Sequence, residues 1–111
     1  MIWTAWNDGK HHSTGAAYGF KVDHADRDRC FNRGWHIVII ELPRSDGFVT
    51  AQANVAKASF WSPQCRELIS REIGRWMLAE AYAPWPDGAP PKFEVEPCGE
   101  RRFRVVGRIA G

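Results

Sequence analysis

The alternation of apolar and polar positions predicts a chain built mainly from short strands. Trp35–Leu42 is the longest apolar run, which is typical of a central strand covered on both faces. Turn residues follow at Pro43–Gly47, and the alternating segment Phe48–Val55 predicts an antiparallel partner with one wet face. Nearer the N-terminus, the patterns of Ile2–Trp6 and Tyr18–Val22 predict two further strands.

The segment that begins at Ser62 has apolar residues at helical spacing. Ser62 is a favoured N-cap and Pro63 suits a first helical turn, while Pro84 ends the pattern. Gly74 inside this helix costs about 1 kcal/mol relative to alanine, which indicates close packing against a strand. The sequence therefore predicts a helix over about residues 63–82, with an apolar face made of Leu68, Ile69, Ile73, Trp76 and Met77.

A hairpin is predicted near the C-terminus. Its charges pair best if Glu94 lies opposite Arg104 and Glu96 opposite Arg102, which leaves a loop around Cys98–Glu100. Taken together, the elements predict an α+β fold in a single domain over residues 1–111. Its sheet is mainly antiparallel, and one main helix packs on one of the sheet's faces.

Charge changes this picture only modestly. The formal net charge is +2, so the chain as a whole does not have the strong positive charge of many nucleic-acid-binding proteins. Arginines 101, 102, 104 and 108 are nevertheless concentrated at the C-terminus. Arginine suits phosphate recognition, but charges on a solvated edge strand also protect against aggregation, so both interpretations stay open.

The number and spacing of the cysteines indicate the cellular compartment in which the protein resides. Cys30, Cys65 and Cys98 are far apart, and no CxxC pair occurs. An odd number of isolated cysteines, without an apolar signal segment, predicts free thiols in a reducing cytoplasm and no membrane partner. No recognised ligand spacing is present, so we expect neither a metal nor another cofactor.

The segment Asn7–Gly19 is the strongest candidate for a binding loop. Gly9, Gly15 and Gly19 match neither the nucleoside-triphosphate P-loop nor the dinucleotide-binding pattern. The connection is nevertheless long for a hairpin and rich in hydrogen-bond donors, as expected for a loop that contacts an anion. The predicted ligand-binding residues here are Trp6, Asn7, Lys10, His11, His12, Ser13, Thr14 and Tyr18.

A second charged segment is Asp23–Arg29, for which we predict a short helix over His24–Phe31. Asp23 can cap it, and its acids and arginines can pair locally on the exposed face. Alternatively, Arg27 and Arg29 contribute positive charge to the rim of an anion site.

Three functions remain as hypotheses. The first is a binding module for an anionic small molecule, such as a nucleotide, or for a nucleic acid. The second is a phosphate or phosphodiester hydrolase, metal-independent or metal-assisted, in which His11 or His12 acts as acid–base with Asp23 or Asp26. The third is a protein-interaction module that uses the proline-flanked Trp85 or an edge hairpin as its docking surface.

Overall fold

A computed structural model describes residues 1–110, which form one seven-stranded sheet that curls into a nearly closed barrel. Strands account for 41% of the chain and helical segments for 18%. The strands are β1 (Ile2–Asn7), β2 (Tyr18–Val22), β3 (Ile37–Arg44), β4 (Gly47–Asn54), β5 (Glu67–Ile69), β6 (Lys92–Gly99) and β7 (Arg102–Arg108). Their order in the sheet is β4-β3-β7-β6-β1-β2-β5, and only the β3–β7 pairing is parallel.

The helices are short. They are α1 (His24–Cys30), α2 (Arg71–Ala79) and a 3₁₀ turn at Ala58–Trp61. The prediction of one main helix over about residues 63–82 packed on one face of the sheet is therefore wrong. The helix begins eight residues later than predicted, because Ser70 caps it: its hydroxyl oxygen accepts the N–H of Glu72 at 3.2 Å.

Strand β5 explains why the longer helix does not form. Arg66 has a φ of +65°, a left-handed conformation that interrupts a right-handed helix. After it, β5 pairs with β2, so that Phe20 lies opposite Leu68. Leu68 is fully buried at this position. The helix-like spacing of Leu68 with Ile73 and Met77 thus spans a strand and a helix. Pairing on both sides of β2 lets the sheet curl until β4 and β5 come into contact.

Aromatic side chains fill the barrel interior. Trp3 packs against Phe20 and Phe103, with ring centroids 5.5 and 5.4 Å apart, and Phe31 stacks on Phe103 at 4.6 Å. All four are buried. This aromatic cluster supplies much of the apolar area buried in the core.

The β3–β4 hairpin forms as predicted, with antiparallel pairing along both strands. The predicted double coverage of β3 is wrong, however. Val38, Ile40 and Leu42 point into the barrel and are fully buried, whereas Ile37 on the other face is 42% exposed. In the described part of the chain, no helix layer covers that outer face, because the sheet curls into a nearly closed barrel.

The β6–β7 hairpin has a different register from the predicted one. Glu96, not Glu94, pairs with Arg104, and Val95 pairs with Val105. The strand runs past Pro97, and a register shift between Pro97 and Gly99 absorbs the extra residue. Strand β7 also lies between β6 and β3, so the expectation that this hairpin forms an edge of the sheet is wrong.

Candidate functional site

The loop between β1 and β2, residues 8–17, is held together by hydrogen bonds from its own side chains. Asn7 Oδ1 accepts the N–H of Gly9 at 3.0 Å, and Asp8 Oδ1 accepts the N–H of Lys10 at 3.1 Å. Further along, Thr14 Oγ1 accepts the N–H of Ala16 at 3.3 Å. The N–H groups of Gly9, Lys10 and Ala16 are thus occupied within the β1–β2 loop and are not free to bind an anion.

Helix α2 packs directly against the backbone of the β1–β2 loop. A Cβ added to Gly74 would overlap the carbonyl oxygen of Gly15, so the two backbones touch directly. Gly74 therefore does allow a close approach, but the partner is the loop and not the strand that the sequence suggested. At the end of the loop, Tyr18 O accepts the N–H of Ser70 at 3.1 Å, which fixes β2 to the start of α2.

His11 lies at the centre of a polar and aromatic cluster. Its Nδ1 is 2.7 Å from the hydroxyl of Tyr18, and the side-chain amide nitrogen of Asn7 is 3.1 Å from its Nε2. Trp85 packs edge-on against the imidazole, with ring centroids 4.8 Å apart. Tyr18 is completely buried, and this burial, with a smaller contribution from the negative charge of Asp8, raises the pKa of its hydroxyl. Tyr18 thus supports His11 and has no exposed face for stacking.

His12 forms a separate pair with Asp8. Its Nε2 lies 3.2 Å from Asp8 Oδ2, and both side chains are about two-fifths exposed. The hydrogen bond from His12, followed by that from the Lys10 N–H, lowers the pKa of the Asp8 carboxyl. Asp8 is not among the residues predicted from the sequence, although its position two residues before Lys10 is typical of a side chain that accepts a loop N–H.

The acids predicted to assist the histidines lie elsewhere. Asp23 precedes α1 but makes no side-chain capping bond, and Asp26 is bound to Arg29 at 2.6 Å. Within residues 1–110, no hydrogen bond joins either acid to His11 or His12. The structure therefore does not bring these four candidate catalytic groups into one direct network.

Arg27 and Arg29 differ sharply in their surroundings. Arg27 is only 4% exposed, and its guanidinium donates to the carbonyl oxygens of Phe60 at 3.0 Å and Ser62 at 2.8 Å. It also lies over the ring of Trp61, 5.3 Å from the centroid. Arg27 thus joins α1 to the 3₁₀ turn, whereas Arg29 remains on the surface with Asp26.

The outer face of the sheet contains a concave site of about 510 Å³, here called the β1 groove. In its centre, Thr4 of β1 pairs with Lys21 of β2 on one side and with Lys92 of β6 on the other. The groove is lined by Met1, Ile2, Thr4, Lys21, Val22, Asp23, Asp26, Arg66 and Lys92. Its central feature is thus a hydroxyl flanked by two lysines on neighbouring strands.

The two lysines share the β1 groove with the carboxylates of Asp23 and Asp26 but form no ion pair with them. Among the described residues, no carboxylate lies within salt-bridge distance of Lys21 or Lys92. Arg66 is less free, because it donates to Val22 O at 2.9 Å and to Pro63 O. Alternation along β2 could have indicated that Lys21 faces outward, but the pairing with Lys92 depends on distant parts of the chain.

The C-terminal arginines do not act as one basic patch. The Nε atoms of Arg102 and Arg104 lie 2.6 and 2.9 Å from the two carboxylate oxygens of Glu41. Glu41 is buried, and the hydrogen bond from Arg102, with further help from Arg104, lowers its pKa. Arg101 and Arg108 remain exposed at opposite ends of β7. Two of the four C-terminal arginines thus neutralise the carboxylate of Glu41.

Three further observations complete the description of the candidate site. Within residues 1–110, no group of three histidine, cysteine, aspartate or glutamate side chains is arranged to hold a metal ion. In the same part of the chain, no helix has the length and apolar character needed to cross a bilayer. Comparison with known protein families, curated proteins and solved structures gives no significant match.

Proposed function

We propose that this protein binds an anionic ligand, a nucleotide or a nucleic acid, on the surface that joins the β1 groove to the β1–β2 loop. The observation that carries the proposal is the pair Lys21 and Lys92, which flank Thr4 without a carboxylate partner among the described residues. Two ammonium groups and a hydroxyl can together donate several hydrogen bonds to one phosphate.

Side chains of the loop extend this surface. Lys10, Ser13 and Thr14 are exposed immediately beyond the end of β1, and His11 is held in place by Tyr18 and Trp85. Asp8 opposes this positive character, and its pairing with His12 reduces the effect. We extend the proposal to the cytoplasm because all three cysteines are free thiols.

Binding measurements with two groove variants test the proposal. We expect Lys21→Ala and Lys92→Ala each to weaken binding of labelled ATP or of a labelled oligonucleotide about tenfold at low salt. Arg101→Ala, which removes an exposed cation outside the groove, is the matched control and should leave affinity within about twofold. Absence of binding at low salt to every nucleotide and oligonucleotide tested, or equal affinity in all four proteins, would contradict the proposal.

A phosphodiester hydrolase is the second candidate, and the contact between His12 and Asp8 favours it. A carboxylate 3.2 Å from an imidazole can orient a general base and stabilise its protonated form. We expect such an enzyme to cleave bis(p-nitrophenyl) phosphate, with or without added divalent metal, and to lose this activity in His12→Ala. No cleavage by the wild-type protein under either condition would remove this candidate.

A further inference from the structure

Trp6 differs from the other five tryptophans in its surroundings. Trp3, Trp35, Trp61, Trp76 and Trp85 each contact another aromatic ring. Among the described residues, Trp6 has no such ring contact, no cation over its ring and no hydrogen bond to its indole. Its indole is only partly buried, so core packing does not account for this residue.

The strand paired with β1 at Trp6 places no side chain against the indole, and the backbone of Leu68 in β5 occupies the space beside that strand. Trp6 pairs with Gly19 of β2, which has no side chain to lie against the indole. On the other side of β1, the ladder with β6 ends at the pair Thr4 and Lys92. Trp6 therefore lies near the end of β1, where the strand is still paired with β2 but no longer with β6, and its indole is partly exposed there.

Lysines on the strands flanking β1 precede this tryptophan, and a further lysine follows it in the loop. Thr4 and Trp6 point to the same outer face, since Trp3 and Ala5, which alternate with them, are buried. Alternate residues on a strand are about 7 Å apart, so the Lys21 and Lys92 pair lies roughly one such step before Trp6. Exposed Lys10 follows in the loop beyond the end of β1. Along β1 and into the loop, the order is thus a pair of lysines on the flanking strands, a partly exposed tryptophan and then a third lysine.

This order matches the chemistry of one ligand class. A single-stranded nucleic acid offers negative phosphates on either side of each base, and the flat face of an unpaired base can stack on tryptophan. A duplex keeps its base faces inside the helix, and an acidic peptide has no base to stack. A mononucleotide has no second sugar–phosphate unit to continue past the ring toward the loop.

We propose that the ligand is single-stranded nucleic acid, which lies along the outer face of β1 with a base on Trp6 and phosphates at Lys21, Lys92 and Lys10. This inference rests on the proposed function and narrows its ligand. The contacts involve phosphates and a base face, so binding tolerates many sequences and weakens as salt is raised.

Fluorescence anisotropy with fluorescein-labelled oligo(dT) of about twelve nucleotides tests the inference. We expect unlabelled oligo(dT) to compete at least about tenfold better than dTMP, a duplex of equal length or polyglutamate. Trp6→Ala should weaken oligo(dT) binding about tenfold without changing its salt dependence, and Trp6→Phe should restore part of the loss. Lys21→Ala should reduce the slope of log affinity against log salt by about 0.7.

The outcomes separate this inference from the proposed function. If dTMP binds as tightly as oligo(dT), or if the duplex or polyglutamate competes equally, the single-strand inference is overturned while anion binding stands. If neither nucleotide nor oligonucleotide binds, both proposals are wrong. Should Trp6→Ala fail to fold, ultraviolet crosslinking of the wild-type protein to a bromouridine oligonucleotide gives the answer. Crosslinks on the peptide that contains Trp6 support the inference, and crosslinks confined to other peptides refute it.

Discussion

Gly15 in the β1–β2 loop and Gly74 in α2 touch backbone to backbone. A Cβ added to Gly15 would lie 2.7 Å from the backbone nitrogen of Arg75, and one added to Gly74 would overlap Gly15 O. Gly15 also has a φ of +83°, which disfavours any other residue there. This contact makes the position of the proposed binding loop depend on the helix beneath it.

We expect Gly74→Ala to destabilise the protein, although alanine is the better helix former by about 1 kcal/mol. The new methyl group must push the loop backbone away, which we expect to lower the free energy of unfolding by roughly 2 kcal/mol overall. Urea denaturation measures this change. Gly107→Ala is the control, since nothing lies within 4 Å of its added Cβ. A Gly74→Ala protein more stable than wild type would show that the loop is not held against α2.

Arg27 and Arg29, two arginines of the same short helix, should behave differently when replaced by alanine. Arg27→Ala leaves two backbone carbonyls without their buried donor, so we expect the free energy of unfolding to fall by roughly 3 kcal/mol. Arg29→Ala removes only an exposed ion pair and should change stability by about 0.5 kcal/mol or less. Thermal and urea unfolding measure both effects. Equal losses in the two variants would contradict the structural role assigned to Arg27.

Glu41 should make stability depend on pH. Its pKa is lowered in the folded protein, so its ionised form stabilises the fold fully above the pKa of the unfolded chain, near 4.5. That contribution is lost as the pH falls through the folded pKa. We expect Glu41→Gln to be less stable than wild type by roughly 1–2 kcal/mol at pH 7, and the difference to shrink below about pH 4.

Urea midpoints measured from pH 7 to pH 3 test this expectation. Glu94→Gln is the matched control. Glu94 lies on the same outer face and also has a cationic neighbour, the N-terminal amine at 3.8 Å, but its side chain is exposed. A difference between Glu41→Gln and wild type that stays constant over this range would show that ionisation of Glu41 does not stabilise the fold.

Asp8 is expected to oppose the binding of an anion. Asp8→Asn keeps the oxygen that accepts the Lys10 N–H but removes a negative charge from the loop, so oligo(dT) affinity should rise roughly two- to fivefold at low salt. The gain should disappear at high salt, where exposed charges are screened. Asp46→Asn, in the exposed β3–β4 turn, is the control. Weaker binding by Asp8→Asn would indicate that its carboxylate holds His12 in a productive position instead.

The amino-acid sequence determined where most strands form. Period-two alternation and turn residues are local features, and they correctly indicated β1, β2, the β3–β4 hairpin and a short helix after Asp23. Side chains alternate between the two faces of a strand whatever its partner, so the outward direction of Lys21 also follows from local sequence. The β1–β2 loop was likewise apparent from its length and its glycines.

Tertiary structure alone decided the barrel and the groove. Leu68 has the spacing of a helical core residue, yet strand pairing with β2 prevails after the left-handed turn at Arg66. Lys21 and Lys92 are distant in sequence and become neighbours only because β1 pairs with both β2 and β6. Local patterns record which face of a segment is buried. They do not record which segments pair or in what register, because that depends on how the whole sheet closes around its core.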